Sequence, residues 1–329
     1  MAKPRLIDIA RAVGVSEATV SRALNGKDGV NEETRSAILR AARRSGREVE
    51  AAVDGRPAIG VLVPDVDNPV FAAWLDRIEL ELFQRGAEAL VAMRARTPQG
   101  ESDAFGRFLR AGASGVIVVS GFHSLQHGEV DHYRDLIRQG LPMCLINGVR
   151  QDLEATFLTT DDAEAVHLVV QHLRELGHKR IGIAVGDERT WPVRQKVHAF
   201  ERLLGPAGAV SYTDFSYAGG YQAARELLGR GCTALLCGSD VMASGAIEGA
   251  RSVGRSVPGD VSVVGYDDVQ WAPLTSPALT TVRQAIPEMS RSAVRAVLER
   301  GESSRRSAHS EVAVRPQLIV RGSTAAAPR

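Results

Sequence analysis

The run Gly14-Val15-Ser16-Glu17-Ala18-Thr19-Val20-Ser21-Arg22 places a glycine turn, a serine and a two-faced helical segment in immediate succession. Val15, Val20 and Leu24 are apolar at near-helical spacing, while Ser16, Glu17, Thr19, Ser21 and Arg22 are short-polar or charged. Just upstream, Ile7 to Val13 reads as a helix that turns Ile9, Ala10 and Val13 toward the same small core. Two short helices joined through a glycine form a helix-turn-helix, whose second helix enters the DNA major groove. Ser16 fits the N-cap of that helix, where its hydroxyl accepts an otherwise orphaned backbone N–H. Thr19, Ser21 and the helix N-terminus suit phosphate oxygens, whereas Glu17, Ala18 and Arg22 could reach base edges. The competing reading is a small helical hairpin with no ligand.

A third helix follows. Asn31 is its expected N-cap, Glu32 and Glu33 favour its positive end, and Ile38, Leu39 and Ala42 form its apolar face. Arg40, Arg43, Arg44 and Arg47 gather toward its end. Residues 1–50 carry a net charge of +3 and the remainder −2. That asymmetry permits a basic head on a near-neutral body but does not by itself establish nucleic-acid binding. The three helices are expected to make a DNA-binding domain over residues 1–48, with a short linker at 49–57, where Asp54-Gly55-Arg56-Pro57 should break any regular element.

From Ile59 the texture changes to short apolar strands alternating with longer amphipathic helices, the mark of βαβ units on parallel sheets. Strands are predicted at Ile59–Val63, Leu90–Met93, Gly115–Val119, Met143–Ile146, Arg180–Ala184, Ala234–Cys237, Val261–Gly265 and Gln317–Val320. Helices between them include Val70–Gln84, Ala163–Leu176, Gly219–Gly229, Met242–Val253 and Pro287–Arg300. Eight strands are too many for a comfortable single open sheet, so residues 58–329 are expected to form two parallel-sheet α/β lobes. Lobe 1 would cover about 58–154 and 285–307, and lobe 2 about 155–284 and 308–329.

Bulk properties narrow the class. A hydrophobic content of 44% and a charged content of 24% are those of an ordinary soluble protein. No apolar run approaches the ~18 residues of a membrane span and none follows Met1, so a cytoplasmic protein without membrane partners is expected. Cys144, Cys232 and Cys237 lie in strand-like apolar runs and read as reduced core thiols. There is no GxGxxG after a strand, no GxxxxGK[ST] and no GxSxG elbow, so no enzyme, catalytic residue or cofactor is expected. His123 and His127 are four apart but flanked by Gly121 and Gly128, which suggests a loop rather than a metal site. His167 and His172, five apart, share a helix face poorly.

Over nearly its full length the chain resembles the LacI/GalR family of bacterial transcriptional regulators. The resemblance is carried by IDIARAVGVSEATVSRALNG (7–26), VNEETRSAILRAA (30–42), IGVLVPDVDNPVF (59–71) and HLRELGHKRIGIAVG (172–186), and continues through GSDVMASGAIEGARSVGRSVPGDVSVVGYDD (238–268) and PALTTVRQ (277–284). It implies a helix-turn-helix headpiece, a hinge, and a periplasmic-binding-protein-like core of two α/β lobes that closes on a small effector. It also implies a homodimer acting on near-palindromic double-stranded operator DNA, most simply as a repressor. By the same resemblance Glu17, Ala18 and Arg22 fall where bases are chosen, and Ser16, Thr19, Ser21 and Asn25 among backbone-contacting positions. Arg22 could donate bidentately to guanine, and Glu17 could accept from a cytosine amine or stand as a solvated acid.

In the core, Phe71 and Phe215 fall where the family sets aromatics against the ligand, with core packing as the alternative for each. Ser120 and Asn147 end strands of the first lobe, Asp267 ends one of the second, and Gln284 stands at a crossover. Ligands of open α/β sheets bind outside the carboxyl ends of strands, which fits these positions independently. Asp267 is the strongest candidate, since a carboxylate there can accept from two ligand hydroxyls; otherwise it caps a loop. Ser239 and Asp240 open a helix, where Asp240 could simply be a cap. Lys196 replaces the family's usual arginine and cannot make its planar bidentate contact, for which Arg194 could substitute. Asn147 stands where many sugar-responsive members have an aspartate.

The hinge departs furthest. The family pattern of Tyr-x-Pro-Asn-x-x-Ala-x-x-Leu becomes Arg47-Glu48-Val49-Glu50-Ala51-Ala52-Val53-Asp54-Gly55-Arg56, without the leucine that wedges into the minor groove. Glu48, Glu50 and Asp54 would be repelled by phosphates. The operator is therefore expected to be bent little or differently. The expected function is a DNA-binding regulator controlled by a small effector, a sugar or a related metabolite such as a nucleoside. The alternatives are a cytosolic sugar-binding protein that has lost tight operator binding, or a transporter-type receptor.

Overall fold

A computed structural model describes residues 6–24, 29–44, 52–53, 56–64, 67–93, 97–299 and 309–328. The head comprises α1 (Leu6–Val13), α2 (Glu17–Leu24) and α3 (Glu32–Arg44). Gly14 ends α1 with φ +74°, a conformation costly for residues bearing a Cβ. The Gly14 and Val15 amides both donate to the Ala10 carbonyl, at 2.9 and 3.0 Å, and close the helix end. Ser16 Oγ accepts from Thr19 N at 3.1 Å, and Asn31 Oδ1 from Thr34 N at 2.8 Å, so both expected N-caps form. Ile9, Ala10, Val20, Ala23, Ile38 and Leu39 fill the core between the three helices.

The body is built on two sheets. Its elements are β1 (Ala52–Val53), β2 (Arg56–Val63), α4 (Pro69–Gln84), β3 (Glu88–Met93), α5 (Pro98–Arg110), β4 (Gly115–Val119), α6 (Asp131–Arg138), β5 (Met143–Ile146) and β6 (Thr156–Thr160). They continue with α7 (Asp162–Glu175), β7 (Ile181–Val185), α8 (Trp191–Leu204), β8 (Gly208–Tyr212), α9 (Tyr217–Gly229), β9 (Ala234–Cys237), α10 (Asp240–Ser252) and β10 (Ser262–Asp267). Then come β11 (Thr280–Arg283), α11 (Ile286–Leu298), β12 (Ser310–Val314) and β13 (Gln317–Ile319). The first sheet joins β1, β2, β4, β5, β6 and β12 in that order, with β3 also on β2; the second runs β13-β11-β10-β9-β7-β8. All pairings are parallel except β1 with β2 and β13 with β11.

Each sheet is covered on both faces. Phe105, Phe108, Tyr133 and Leu136 of α5 and α6 cover one face of the first sheet, and Trp74, Ile78, Met289 and Val294 of α4 and α11 the other. Helices α7 and α8 cover one face of the second sheet and α9 and α10 the other. Burial on both faces explains why the central strands are continuous apolar runs rather than alternating ones.

Two expectations are corrected. The lobe division at 154/155 and 307/308 does not follow the sheets, because β6 and β12 both pair in the first one. The chain therefore crosses to the second lobe only after Thr160, and the returning segment adds β12 before β13 joins the second sheet. The second correction concerns the linker: Arg56 and Pro57 open β2 and pair with Val53 and Ala52. The rest of the hinge reading, residues 47–51 and 54–55, lies outside the described residues. The threonine-rich β6 and β11, with β8 and β12, were not predicted as strands; Thr159, Thr160, Thr280 and Thr281 are nonetheless buried, as β-branched residues that suit a pleated sheet. Cys144, Cys232 and Cys237 are free and buried, and burial pushes the Cys237 thiol up to about 12.

Candidate functional site

On the head, Ser16, Glu17, Ala18 and Arg22 are exposed, and Thr19 and Ser21 partly so. Val20 and Ala23 point into the core, so one face of α2 is anchored and the opposite face is presented outward. Ser16 Oγ also meets Thr19 Oγ1 at 2.8 Å, which ties the first turn together. Asn25 lies outside the described residues.

In the body, backbone conformation marks a second location. Among the described residues, four non-glycines have positive φ: Ser120 (49°), Asn147 (64°), Asp267 (114°) and Asp268 (54°). Each stands at the carboxyl end of β4, β5 or β10. Such strained conformations cluster at functional sites, and ligands of open α/β sheets bind outside those strand ends. Asn147 Nδ2 donates to Ser120 Oγ at 3.1 Å on the first-lobe side. On the other side Gln284 Nε2 donates to Asp267 Oδ1 at 2.6 Å, while Gln284 Oε1 accepts from Thr160 Oγ1 at 3.1 Å. Thr160 ends β6 and Gln284 follows β11, so Asp267 is held by two interlobe crossovers.

Asp267 is only 7% exposed, and although the Asn68 side chain is near enough to favour its ionised form, its Oδ2 has no partner of ordinary hydrogen-bond geometry among the described residues. Burial raises its carboxyl well above the usual range and the neighbouring Asp240 adds to this, against the lowering effects of Gln284, Lys196 and Asn68. A buried, incompletely satisfied carboxyl keeps hydrogen-bonding capacity for a ligand hydroxyl. Asp240 lies behind it, with Oδ1 accepting from Thr281 Oγ1 at 2.5 Å and Oδ2 from Val269 N at 2.8 Å. Gly265 is required beside it, since a Cβ there would fall 2.1 Å from Asp240 Oδ1.

The remaining predicted residues separate. Phe215 is 41% exposed, and its ring lies on the strand ends: a Cβ on Gly186 would be 2.2 Å from it and one on Gly238 3.0 Å. It therefore offers an apolar platform outside β7 and β9. Phe71 is half-buried on α4 and packs on the core. Ser239 is taken up as the N-cap of α10, accepting from Met242 N at 3.2 Å. Lys196 is not a free anchor: its Nζ is 2.5 Å from Asp162 Oδ1 and 3.9 Å above the Tyr266 ring. Arg194 is exposed two residues away on α8, and positions i and i+2 face different directions. His123 is a core residue, with Nδ1 3.4 Å from Tyr133 Oη and Nε2 3.1 Å from the Ile146 carbonyl, so it has no ring nitrogen to spare for a metal pair with His127.

Sequence reasoning missed Asn68, Thr160, Asp162 and Tyr266. Asn68 carried a usable signal, since it precedes Pro69 at a helix start, and its Oδ1 accepts from Val70 N at 3.2 Å. The two lobes also touch directly: Gln126 N donates to Arg189 O at 2.8 Å, Leu125 bridges Thr190, and Trp191 packs on the first-lobe core.

Residues 5–46 match the model described as bacterial regulatory proteins, lacI family, and residues 170–324 the periplasmic binding protein-like domain. The chain is 41% identical to the HTH-type transcriptional regulator reg1 of Streptomyces lividans, over 98% of this chain and 97% of that protein. It is 40% identical to the HTH-type transcriptional regulator MalR of Streptomyces coelicolor, over 98% and 97%. Among solved structures, a complex of the transcriptional regulator CelR with cellobiose superposes with a TM-score of 0.71 at 28% identity, covering 97% of this chain and 99% of that one.

Proposed function

This chain belongs to the lacI family of bacterial regulatory proteins, as a DNA-binding transcriptional regulator, and we propose that a sugar or related hydroxyl-rich metabolite held between its lobes sets how tightly the head grips operator DNA. The observation that carries this reading is Asp267: a buried carboxylate on a strained strand end, with an unpartnered Oδ2. Hydroxyl donors satisfy such a group, while the Phe215 ring suits the apolar face of a sugar. The cellobiose bound by CelR supports a carbohydrate in a cleft of this kind. Gln284 and Thr160 connect Asp267 to the crossovers, so a ligand that pulls on Asp267 acts on the segments that set the angle between lobes.

On the head, Arg22, Glu17 and Ala18 read bases, while Ser16, Thr19, Ser21 and Asn25 hold the DNA backbone. The hinge sequence lacks a leucine lever, which leaves more of the discrimination to α2. Reading a near-palindrome takes two heads, and the surface that joins two copies is the outer face of α4 and β3. There Phe83 is 67% exposed and Val91 49%, lining a groove of about 640 Å³ that also borders Leu75 and Ala89, and Met93 at the end of β3 is 58% exposed. Arg56 lines this groove together with Asp76, Glu79 and Glu88, which supplies both signs of charge, as a self-complementary contact needs.

The test is fluorescence anisotropy on DNA upstream of its own gene against random DNA, with ribose, cellobiose and maltose as effectors. The wild type is expected to prefer the specific DNA by roughly 10³-fold and to change affinity with one of the sugars. Arg22→Ala should lose about 1–3 kcal/mol of specific binding. Asp267→Ala should bind the DNA normally and ignore the sugar; an undiminished sugar response would sink the site assignment.

A further inference from the structure

The cleft contains a buried cation that is already occupied. Lys196 Nζ and Asp162 Oδ1 are 2.5 Å apart, and each side chain is only 5% exposed. Tyr266 Oη donates to the same Asp162 oxygen at 2.6 Å, and its ring lies 3.9 Å beneath the ammonium. Asp162 is the first residue of α7, immediately beyond the crossover from β6, whereas Lys196 and Tyr266 come from α8 and β10. Lys196 also lies near enough to Asp267 for its charge to be felt there. The ammonium thus sits beside the effector site but is neutralised from below.

Several arginines near the strand ends are also paired with carboxylates, though in more exposed positions, while Arg194 stands exposed at the start of α8. Arg283 and Arg321 both pair with Asp268 at 2.6 Å, Arg189 pairs with Asp187 at 2.5 Å, and Arg150 pairs with Asp152 at 2.8 Å. Beside the ammonium stand two buried acids, Asp267, whose Oδ2 has no hydrogen-bond partner among the described residues, and Asp240 behind it. A phosphate brought to this site meets a captured ammonium and two buried carboxyls whose surroundings disfavour charge, so among the described residues no buried cation is left to offset its desolvation. A neutral polyol meets an acceptor and an aromatic platform.

We propose that Asp162 is a specificity-determining residue: by capturing Lys196 it makes the cleft select uncharged, hydroxyl-bearing effectors and reject their phosphorylated counterparts. This rests on the reading of the interlobe cleft as the effector site. The residue acts through Lys196 and need not touch the ligand. Specificity of this kind is a built-in penalty against the wrong partner rather than an extra contact with the right one.

The test uses matched pairs on the full-length protein by thermal shift and calorimetry: glucose and glucose 6-phosphate, ribose and ribose 5-phosphate, cytidine and cytidine monophosphate. The wild type should favour the unphosphorylated member of whichever pair it recognises by roughly tenfold or more. Asp162→Asn, which frees the ammonium, should shift that ratio at least about tenfold toward the phosphorylated member. Tight binding of a phosphorylated member by the wild type overturns the inference and leaves the sugar reading standing. Binding of cytidine alone overturns the sugar reading and leaves the charge selection standing; binding of no pair, with no response to cellobiose or maltose either, overturns both. If Asp162→Asn does not fold, the wild-type ratio still decides, together with Lys196→Gln. That variant releases no cation and should still reject the phosphorylated member. Loss in Lys196→Gln of an affinity for phosphate that the wild type possessed would place Lys196 on the ligand and overturn the proposal.

Discussion

Asp240 shows how one side chain behind the site sets a pH dependence for the fold. Burial lifts its carboxyl to about 7, although hydrogen bonds from Thr281 and the Val269 amide oppose the rise. Its value in the folded protein therefore lies above the unfolded value of 3.8. The stability associated with its protonated form is complete below about pH 4 and is lost as pH climbs toward 7, by at most about 1.4 kcal/mol per unit. We expect the stability of the wild type relative to Asp240→Asn to fall steadily between pH 4 and 7 and then level off, as read by calorimetric melting. A difference that does not change with pH would refute the assignment. At this scale much was legible. Ser16 and Asn31 cap their helices as their positions imply, and Ser120, Asn147 and Asp267 stand at strand ends as the α/β pattern requires. Lys196 was not legible, because its partners Asp162 and Tyr266 are 34 and 70 residues away and an isolated lysine does not disclose its counter-charge.

Among the elements, α9 and α10 approach with their backbones in contact. A Cβ on Gly245 would fall 1.9 Å from the Tyr217 carbonyl oxygen, one on Gly220 2.0 Å from that of Met242, and one on Gly249 2.5 Å from that of Tyr221. Backbone atoms cannot rotate away as a flexible side chain can, so this packing tolerates no methyl. Gly245→Ala is expected to destabilise the protein by about 2–4 kcal/mol and to displace α10, which carries Asp240. Gly229→Ala, at the end of α9 with open space around it, should be neutral or stabilise by up to about 1 kcal/mol. Equal melting temperatures for the two variants would show that the close approach is unimportant. The glycines were visible in the sequence, yet α9 and α10 were read only as amphipathic helices; which helix each glycine faces depends on packing.

For the whole molecule, the apolar face of α4 and β3 is the feature a lone monomer does not explain. Phe83→Glu places a charge at its most exposed aromatic and, if the proposed pairing of two copies holds, is expected to shift sedimentation toward the monomer. Operator affinity should fall with it, because two linked heads bind far more tightly than one. Effector binding by the core should persist, since Phe83 is remote in sequence and element from Asp267. A Phe83→Glu protein that still sediments as a dimer would move the interface elsewhere.

Local pattern was enough for the three-helix head, its caps and its outward face, because each depends on residues within a few positions of one another. It was enough too for the alternation of strands and helices, and for standing Ser120, Asn147 and Asp267 at the carboxyl ends of strands. The partition of strands between lobes was settled only in three dimensions. Thr156–Thr160 and Ser310–Val314 carry no local mark of the sheet they join, and they pair with each other across some 150 residues. The same holds for the site's charges. Asp267 is left with an open oxygen while Lys196 is captured, and both outcomes depend on which distant residue arrives first within hydrogen-bond reach. Periodicity and capping are short-range, whereas crossover topology and buried charge balance are properties of the assembled fold.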